Sequence, residues 1–431
     1  MPTSTSYDAA IVGGSLAGCT AAILLARGGA KVALIERKKD LSAFKKICTH
    51  FIQPCATPTI ERLGLAQLID ASGGVRNGAD FWTKWGWIYP SPGERYGYNI
   101  RRSTLDPILR KLAIDTPGVD FLPGWSAEKL IMNDDRIGGV EVANADGEAQ
   151  TLTARLVLAA DGRNSLVAEL AKLPRTAKPH GRFLYFAYFR NVQLATGQRS
   201  QMWFLDPDVA YAFPNDDGVV LLCVMGAKDK LAEWKSDLKG SLVRYFELLP
   251  DGPSLAEAEQ ISPVMGMVDM PNVTRPVTAP GLALIGDAAL AADPLWGVGC
   301  GWAFQSAEWL ADCVAGSFAD AAALDRGLER YRKRHQRELR GHELLISNFA
   351  TGRPFNAIER LMFSAAARNS VCADHLRAFG GRYMGLKQFV SPVALARAAR
   401  VNVAYALRKS LFARNGAAGA SYGAKRGSPA E

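Results

Sequence analysis

The stretch YDAAIVGGSLAGCTAAILLARGG, residues 7–29, decides the fold. Its first six residues form an apolar β-type run, GGSLAG follows directly, and the remainder carries apolar residues at helical spacing. A second apolar run, 31–35, ends in Glu36, 18 residues after Gly18. This order predicts a dinucleotide site, because a helix N-terminus presents free N–H groups to a pyrophosphate and a carboxylate after the second strand can bind ribose hydroxyls.

Gly13 and Gly18 have different expected roles in this turn. Gly13 permits the tight bend, and the missing side chain at Gly18 lets the helix approach the strand. The usual pattern is G-x-G-x-x-G, whereas here the third position is Ser15. Serine is small enough to keep the backbone accessible to a phosphate.

Two further motifs follow the same strand-to-turn design. Residues 152–165, LTARLVLAADGRNS, run from a predicted strand into Asp161-Gly162. Residues 279–312, APGLALIGDAALAADPLWGVGCGWAFQSAEWLAD, run from a strand into Gly286-Asp287 and then through a glycine-rich turn into a helix.

The ordered set GGSLAG, IRRSTLD, AADGRNS and IGDAALAADPLWGVGCGWA resembles the FAD-dependent oxidoreductases of the p-hydroxybenzoate-hydroxylase type. This group includes class A flavoprotein monooxygenases, geranylgeranyl-reductase-like enzymes and flavin halogenases. The resemblance covers roughly residues 7–315. It implies an α/β fold, in which a Rossmann-like FAD-binding domain is interleaved with a mostly antiparallel β-sheet substrate domain and followed by C-terminal helices.

The domain bounds expected from this resemblance are discontinuous. The FAD-binding domain would comprise residues 1–75, 98–175 and 276–320, and the substrate-binding sheet residues 76–97 and 176–275. Residues 321–415 would form a C-terminal helical region. The Gly/Ala/Ser-rich segment 416–431 is expected to be a disordered tail.

The resemblance implies FAD as cofactor, with NADPH or NADH as reductant. It places the first glycine turn against the pyrophosphate, Glu36 on the adenosine ribose, Arg102 near the flavin or its phosphates, and Asp287 on the ribityl chain. A helix N-terminus beside the flavin ring would stabilise the negative charge of the reduced cofactor. The expected cofactor-binding residues are Gly13, Gly14, Ser15, Ala17, Gly18, Glu36, Arg37, Arg102, Asp161, Gly286, Asp287, Pro294, Gly297, Gly299, Cys300 and Gly301.

The segment KKICTHFIQPCATPTIERLGL, 45–65, resembles K-x-C-G-G-G-L-x-P of the reductase-like enzymes only loosely. Lys46, Cys48 and Pro54 match, whereas Thr49, His50 and Phe51 replace the glycines. No flavin contact is therefore carried over to this segment. Two cysteines and a histidine without a fourth ligand do not predict a metal site.

Residues 183–226 alternate and are rich in aromatic side chains, which predicts antiparallel strands with a hairpin at Pro-Asn-Asp-Asp-Gly, 214–218. In the resembling family such a sheet forms the roof of the substrate pocket. Its apolar character favours a hydrophobic or aromatic substrate, although alternation must turn some of these side chains into the core. The expected substrate-binding residues are Trp85, Trp87, Tyr188, Trp203, Tyr211, Phe213 and Trp296.

No Ser-His-Asp or paired-carboxylate pattern is present, and no catalytic side chain is assigned. The resemblance implies a monooxygenase that acts through a flavin hydroperoxide on an aromatic or polyketide-like metabolite, as in secondary metabolism and antibiotic biosynthesis. One alternative is an FAD-dependent reductase of isoprenoid double bonds. Another is a flavoprotein without turnover that binds RNA or membrane through its basic C-terminal part.

The string WGWIYP, 85–90, differs by one residue from the W-x-W-x-I-P string of flavin halogenases, and Lys84 precedes it. In halogenases that string follows the AADG-type motif, whereas here it comes before Arg102. We therefore interpret it as a strand of aromatic residues in the pocket wall.

Composition and charge limit the cellular location and the binding partners that we expect. The seven cysteines are scattered without a C-x-x-C pair, and no apolar run approaches membrane-spanning length, so we expect a cytoplasmic protein. The net charge is +9, and the chain from Asp325 to Glu431 carries 20 Lys and Arg against 7 Asp and Glu. We expect no nucleic-acid partner, while the basic helices permit either packing on the core or peripheral membrane contact. The oligomeric state stays open.

Overall fold

A computed structural model gives the structure of residues 4–423, with side chains described up to residue 410. The chain divides into two compact units. The first contains the chain up to Ala79 together with Arg95–Pro354, and the second contains Asp80–Glu94 together with the chain from Phe355 onward.

The β-strands in this part of the chain are β1 Ser4–Val12, β2 Val32–Glu36, β3 Phe51–Ile52, β4 Val75–Asn77, β5 Ala79–Thr83, β6 Gly86–Ile88, β7 Gly97–Asn99, β8 Val119–Pro123, β9 Trp125–Asn133, β10 Arg136–Asn144, β11 Ala149–Ala159, β12 Thr176–Lys178, β13 Arg182–Arg190, β14 Ser200–Phe204, β15 Val209–Pro214, β16 Val220–Ala227, β17 Glu259–Gln260, β18 Met265–Met267, β19 Asn272–Thr274, β20 Thr278–Ala279, β21 Leu282–Leu284 and β22 Leu290–Ala291.

The α-helices are α1 Leu16–Arg27, α2 Thr57–Leu63, α3 Leu65–Ala71, α4 Arg102–Ile114, α5 Leu166–Leu170, α6 Leu231–Ser236, α7 Leu238–Glu247, α8 Val298–Val314, α9 Ala321–Phe349, α10 Ala357–Ala366, α11 Ser370–Gly380, α12 Leu386–Phe389 and α13 Pro392–Gly423.

A parallel sheet forms the centre of the first unit. Its strands lie in the order β21-β11-β1-β2-β8, and all four pairings are parallel. The central strands are continuous apolar runs because helices cover both faces of such a sheet. Helices α1 and α8 are buried along most of their length against it. This arrangement confirms the Rossmann-like part of the predicted α/β fold.

The same unit holds an antiparallel sheet in which β13, β16, β15 and β14 are neighbours. Strands β17 and β18 pair with β13. The predicted hairpin is confirmed: β15 and β16 pair from Val209 opposite Met225 to Pro214 opposite Val220, and a tight turn at 216–218 connects them. The sheet is apolar on both faces, with Phe186, Tyr211 and Phe213 among its fully buried side chains.

The second unit contains the β5–β6 hairpin and helices α10 to α13. Helix α10 begins with a capping box between Asn356 and Glu359. The rings of Phe379 and Phe389 stack with centroids 4.1 Å apart, and the Arg377 guanidinium lies 4.9 Å from the ring centroid of Phe81. These contacts give the unit a small core of its own. The predicted C-terminal helices are confirmed.

The second unit groups residues 80–94 with the C-terminal helices, and the domain bounds expected from the sequence stay a prediction. Helix α13 includes residues 416–423 of the expected disordered tail, and residues 424–431 lie outside the described part. Within residues 4–423, no helix combines the length and the apolar character that a bilayer crossing requires.

Candidate cofactor and substrate site

The glycine turn after β1 packs too closely for side chains. Gly13 has φ +111°, and a Cβ on Gly18 would lie 1.8 Å from the carbonyl oxygen of Gly13. The N–H of Gly14 donates to Oε2 of Glu36 at 2.8 Å, so the carboxylate at the end of β2 is held at the turn. The turn therefore has the bare backbone and the neighbouring acid that the sequence predicts.

Ser15, the residue that departs from the glycine pattern, has a partner in α4. Nη2 of Arg102 donates to its Oγ at 2.8 Å, and the Ser15 side chain makes no capping hydrogen bond to α1. Arg102 and Asp106 form a buried ion pair with Nε and Oδ1 2.5 Å apart. Burial lowers the pKa of the guanidinium, but the carboxylate of Asp106 together with the sulfur atoms of Cys300 and Cys48 raises that pKa above its usual value. A permanent positive charge thus lies beside the glycine turn.

Asp161 follows β11 and caps the helix after it. Its Oδ2 accepts a hydrogen bond from the N–H of Val167 at 3.0 Å. Its Oδ1 is buried and has no hydrogen-bond partner within residues 4–423. Because a buried acceptor is costly to leave unpaired, this oxygen is suited to a donor from a bound ligand.

Lys45 connects two of the acidic positions. Its Nζ lies 2.9 Å from Oδ2 of Asp287, and its backbone N–H donates to Oδ2 of Asp106 at 3.1 Å. Burial raises the pKa of Asp287, but the ammonium of Lys45 together with the guanidinium groups of Arg163 and Arg102 holds that pKa below its usual value. Lys46 is the residue that matches the pattern of the reductase-like enzymes, but the adjacent Lys45 makes these contacts.

The glycine-rich turn before α8 lies against the β3 segment. Gly297 is the N-cap residue in the left-handed region with φ +63°, and Phe51 occupies the space that its Cβ would need. The side-chain amide of Gln53 donates to the carbonyl of Trp296 at 2.9 Å. Gly299 is exposed, and a Cβ there would meet no atom within 4 Å. The start of α8 therefore offers accessible backbone for a ligand.

Cys48 and Cys300 meet beside this turn, with their sulfur atoms 3.8 Å apart. The N–H of His50 also approaches the sulfur of Cys48, at 3.3 Å. The hydrogen bond between the two cysteines lowers the pKa of Cys48 well below its usual value and raises that of Cys300. Cys48 is thus the more acidic thiol of the pair.

His50 is a functional candidate that the sequence did not assign. Its Nδ1 accepts the backbone N–H of Arg102 at 3.1 Å, and its Nε2 lies 2.6 Å from the hydroxyl of Tyr188. Since Nδ1 accepts, the proton of a neutral ring is on Nε2 and is donated to the Tyr188 oxygen. Burial is the main cause that raises the pKa of Tyr188, so its own O–H hydrogen stays in place. That hydrogen is available to a third group.

Aromatic side chains from two segments, β3 and β15, form a wall next to this pair. Phe51 stacks on Phe213 with ring centroids 5.2 Å apart, and Phe213 stacks on Tyr211 at 5.0 Å. The hydroxyl of Tyr211 donates to the carbonyl of Leu295 in the loop before α8. The structure therefore brings Tyr211 and Phe213 together with the loop that carries Trp296, and their contact with a substrate stays a prediction.

Trp203 lies on the other face of its strand. It is fully buried, packs edge-on against Phe246 at 6.2 Å, and donates its Nε1–H to the carbonyl of Pro250. Its neighbour Phe204 instead contacts the ring of Trp296 at 4.8 Å. Because strand side chains alternate, this position does not support the predicted substrate contact of Trp203.

Trp85 and Trp87 belong to the second unit. Trp85 stacks on Phe355 with centroids 6.4 Å apart, and Lys84 Nζ lies 5.1 Å from the Trp85 ring centroid. Trp87 stacks on Tyr89 at 5.9 Å. The string WGWIYP is thus a hairpin segment with aromatic packing inside its own unit.

The remaining expected cofactor residues lie on the same elements. Ala17 is buried in α1, and Arg37 is exposed directly after Glu36. The N–H of Gly286 donates to Oγ of Ser306 at 2.9 Å, and the carbonyl of Pro294 accepts the N–H of Gly297 at 2.9 Å. The glycine turn without side chains, the unpaired Asp161 oxygen and the accessible start of α8 together fit a dinucleotide with a pyrophosphate and a ring system.

Comparison with known proteins agrees with this geometry. The family model described as FAD binding domain matches residues 6–342, so the chain belongs to this family. The chain is 25% identical over 325 residues to the digeranylgeranylglycerophospholipid reductase of Thermoplasma acidophilum, which covers 71% of this chain and 77% of that protein. It is 33% identical over 189 residues to the protein FixC of Shigella flexneri, which covers 40% of each.

Solved structures share the fold. The flavin-dependent brominase Bmp2 has a TM-score of 0.74 at 18% identity and covers 94% of this chain and 100% of that one. PqsL, a probable FAD-dependent monooxygenase from Pseudomonas aeruginosa, has a TM-score of 0.65 at 19% identity and covers 88% and 100%. The superfamily that the sequence motifs indicated is confirmed, and the chain belongs to the FAD-dependent oxidoreductases.

Proposed function

We propose that this member of the FAD binding domain family is an NAD(P)H-consuming monooxygenase that oxygenates a hydrophobic, aromatic small molecule. The observation that carries the proposal is the hydrogen-bonded pair of His50 and Tyr188, set beside the aromatic wall of Phe51, Tyr211 and Phe213. An electron-rich aromatic substrate with an oxygen substituent fits a wall of this kind with one polar contact.

The chain's own residues would hold FAD at three places. The turn 13–18 and Glu36 would bind the pyrophosphate and the adenosine ribose, and Arg102 supplies the positive charge beside them. Asp161 and Asp287 provide acceptors after β11 and β21. When bound, FAD supplies the redox chemistry, taking electrons from NAD(P)H and delivering them to oxygen.

His50 and Tyr188 would orient the substrate. His50 holds the Tyr188 oxygen through its Nε2–H, which leaves the phenolic hydrogen to donate to a substrate oxygen. A substrate phenol becomes more nucleophilic as negative charge develops on its oxygen, and a fixed donor stabilises that charge. The pair acts on the substrate oxygen, and its histidine end is shielded because His50 is 1% exposed.

The aromatic wall would keep water away from the reacting atoms. Tyr211 and Phe213 are fully buried, and the Tyr211 hydroxyl is tied to the carbonyl of Leu295. A dry site strengthens the hydrogen bond from Tyr188 and protects reduced oxygen species from release. These side chains would therefore contribute to catalysis by excluding water and by shaping the substrate site.

The experiment is turnover of the purified protein with FAD, NADPH or NADH and a panel of phenols and anilines under ¹⁸O₂. We expect substrate-stimulated oxygen consumption and a product heavier by one labelled oxygen atom. Turnover that proceeds without oxygen and yields a product heavier by two hydrogens would reject the monooxygenase.

Reduction of an isoprenoid double bond is the second candidate. It is supported by the curated archaeal relatives, whose names state reduction of a digeranylgeranyl lipid and which align with about three quarters of their own length. Anaerobic assays with geranylgeranyl compounds distinguish the two reactions. Bromide or chloride added to the aerobic assay tests halogenation, for which we expect no halogenated product.

A further inference from the structure

Helix α13 in the second unit turns a mixed basic and apolar face to solvent. Val393, Val403 and Leu407 are 69%, 58% and 60% exposed. Arg397 and Arg400 are exposed on the same helix. Exposed large apolar side chains grouped in this way, with cations among them, mark an interaction surface.

The spacing places these residues on one stripe. Positions 393, 397, 400, 404 and 407 follow steps of three and four, so in an α-helix they lie above one another. We call the exposed residues of this stripe and its flanks the α13 face: Val393, Arg397, Arg400, Val403, Ala404, Leu407 and Arg408.

The opposite side of α13 is anchored in its own unit, which fixes the direction of the face. Ala394 and Ala398 are buried there. The side-chain amide of Asn402 donates to the carbonyl of Leu361 at 3.1 Å, and the Arg368 guanidinium lies 4.0 Å from the ring centroid of Tyr405. The α13 face therefore points away from its packing partners.

The part of the chain that carries the face has charges of one sign. Between residues 375 and 430 the sequence has ten Lys and Arg and no Asp or Glu. Within the described residues, Arg397, Arg400, Arg408 and Lys409 take part in no ion pair. A second copy of this chain would bring the same cations against one another across a two-fold axis, so a self-contact is disfavoured. Nucleic acid is also disfavoured as the partner, because the valine and leucine side chains between the cations would find no apolar contact on a phosphate backbone.

We propose that the α13 face binds the surface of a bilayer that contains anionic lipids. The apolar side chains would enter the region between head groups and acyl chains, while the arginines contact lipid phosphates. The proposal concerns where the protein works and does not depend on the reaction at the flavin site.

The test is co-sedimentation of the full-length protein with phosphatidylcholine vesicles and with vesicles containing equal parts phosphatidylcholine and phosphatidylglycerol. We expect binding only to the anionic vesicles, weakened by raising the salt from about 0.1 M to about 1 M, since screening then acts within about 3 Å. Each basic residue near such a surface contributes roughly fivefold to partitioning. Arg400→Gln/Arg408→Gln should therefore reduce binding about 25-fold.

Matched controls separate the face from general charge and hydrophobicity. Lys235→Gln/Lys239→Gln makes the same change in net charge at exposed positions on other helices and should leave partitioning within about twofold. Leu407→Ser should weaken binding, whereas Leu248→Ser, at a position that is 83% exposed, should not. The proposal would be overturned if the Arg400/Arg408 and Lys235/Lys239 double variants lost vesicle binding equally, or if the protein bound only the phosphatidylcholine vesicles. Binding of the protein to RNA in the absence of vesicles would also overturn it. So would a dimer in solution that Leu407→Ser dissociates.

Discussion

Replacing Tyr188 by phenylalanine tests the polar pair at the centre of the proposed site. The change removes one oxygen atom and leaves the ring that stacks on His50. The Nε2–H of His50 then loses its acceptor in a buried position, which costs about 1–3 kcal/mol of unfolding free energy. The substrate also loses a donor to an oxygen on which charge develops, worth about 1.5–3 kcal/mol, or a decrease of about 10- to 150-fold in kcat/KM.

The assay compares product formation with NADPH oxidation in the absence of substrate. The first should fall by this factor, and the second should change little because the pair does not touch the expected pyrophosphate turn. Tyr331→Phe is the matched control: it removes a buried hydroxyl that donates to the carbonyl of Leu284 at 2.8 Å, so it tests stability loss without loss of the pair.

His50→Asn addresses the same pair from the other side. His50 has φ +63°, and asparagine is among the residues that tolerate this backbone region, so the variant avoids added strain. Because the two side chains act as a unit, kcat/KM of the double variant with Tyr188→Phe should fall by no more than in the more strongly affected single variant. Full kcat/KM in Tyr188→Phe, or strictly additive losses in the double variant, would refute the reasoning.

Three further predictions concern the cofactor cleft. Gly18→Ala should abolish FAD retention, measured by flavin absorbance, and lower the free energy of unfolding by at least about 1–3 kcal/mol, because its Cβ would lie 1.8 Å from a backbone oxygen. In the control Gly385→Ala the Cβ meets no atom within 4 Å, so this variant should bind FAD normally. Lys45→Met should lower the melting temperature by a few degrees at pH 7 and by less in acid, because the lowered pKa of Asp287 stabilises the folded chain above the usual carboxyl range and that stability is lost as the pH falls through the folded pKa. A loss that stays the same as the pH is lowered through the carboxyl range would contradict the ion pair. Alkylation of Cys48 by iodoacetamide, located by peptide mass spectrometry, should slow less between pH 8.5 and pH 7 than alkylation of free glutathione, because the lowered pKa of Cys48 favours its thiolate. A parallel decrease of the two rates would contradict the lowered pKa.

The cofactor half of the site was largely accessible from the sequence. The strand, glycine turn and helix of residues 7–29 follow from local periodicity, and Gly18 is required because of a contact with Gly13 only five residues away. Arg102 and Asp106 are one helical turn apart, so their ion pair also lies within a local pattern. Signals of this kind are readable because the interacting groups are close in the chain.

The polar contacts of the site depend on pairings that no local pattern records. His50 and Tyr188 are 138 positions apart, and Lys45 and Asp287 are 242 positions apart. In the sequence, Lys46 matches the pattern of the reductase-like enzymes and Lys45 and His50 have no role, whereas in the structure Lys45 and His50 make these contacts. Which of several neighbouring polar residues faces a distant partner is decided by how β3 and β13 pack.

The sequence by itself determined the α/β class, the dinucleotide turn and the order of the three motifs, because glycine conformations and apolar periodicity act over a few residues. Only the tertiary structure decided which aromatic side chains form the wall: Trp203 and Phe204 are adjacent in the chain, yet one packs under α7 and the other against Trp296. Strand alternation makes the two faces, but the packing of helices and loops on each face determines which one is core and which one lines a site.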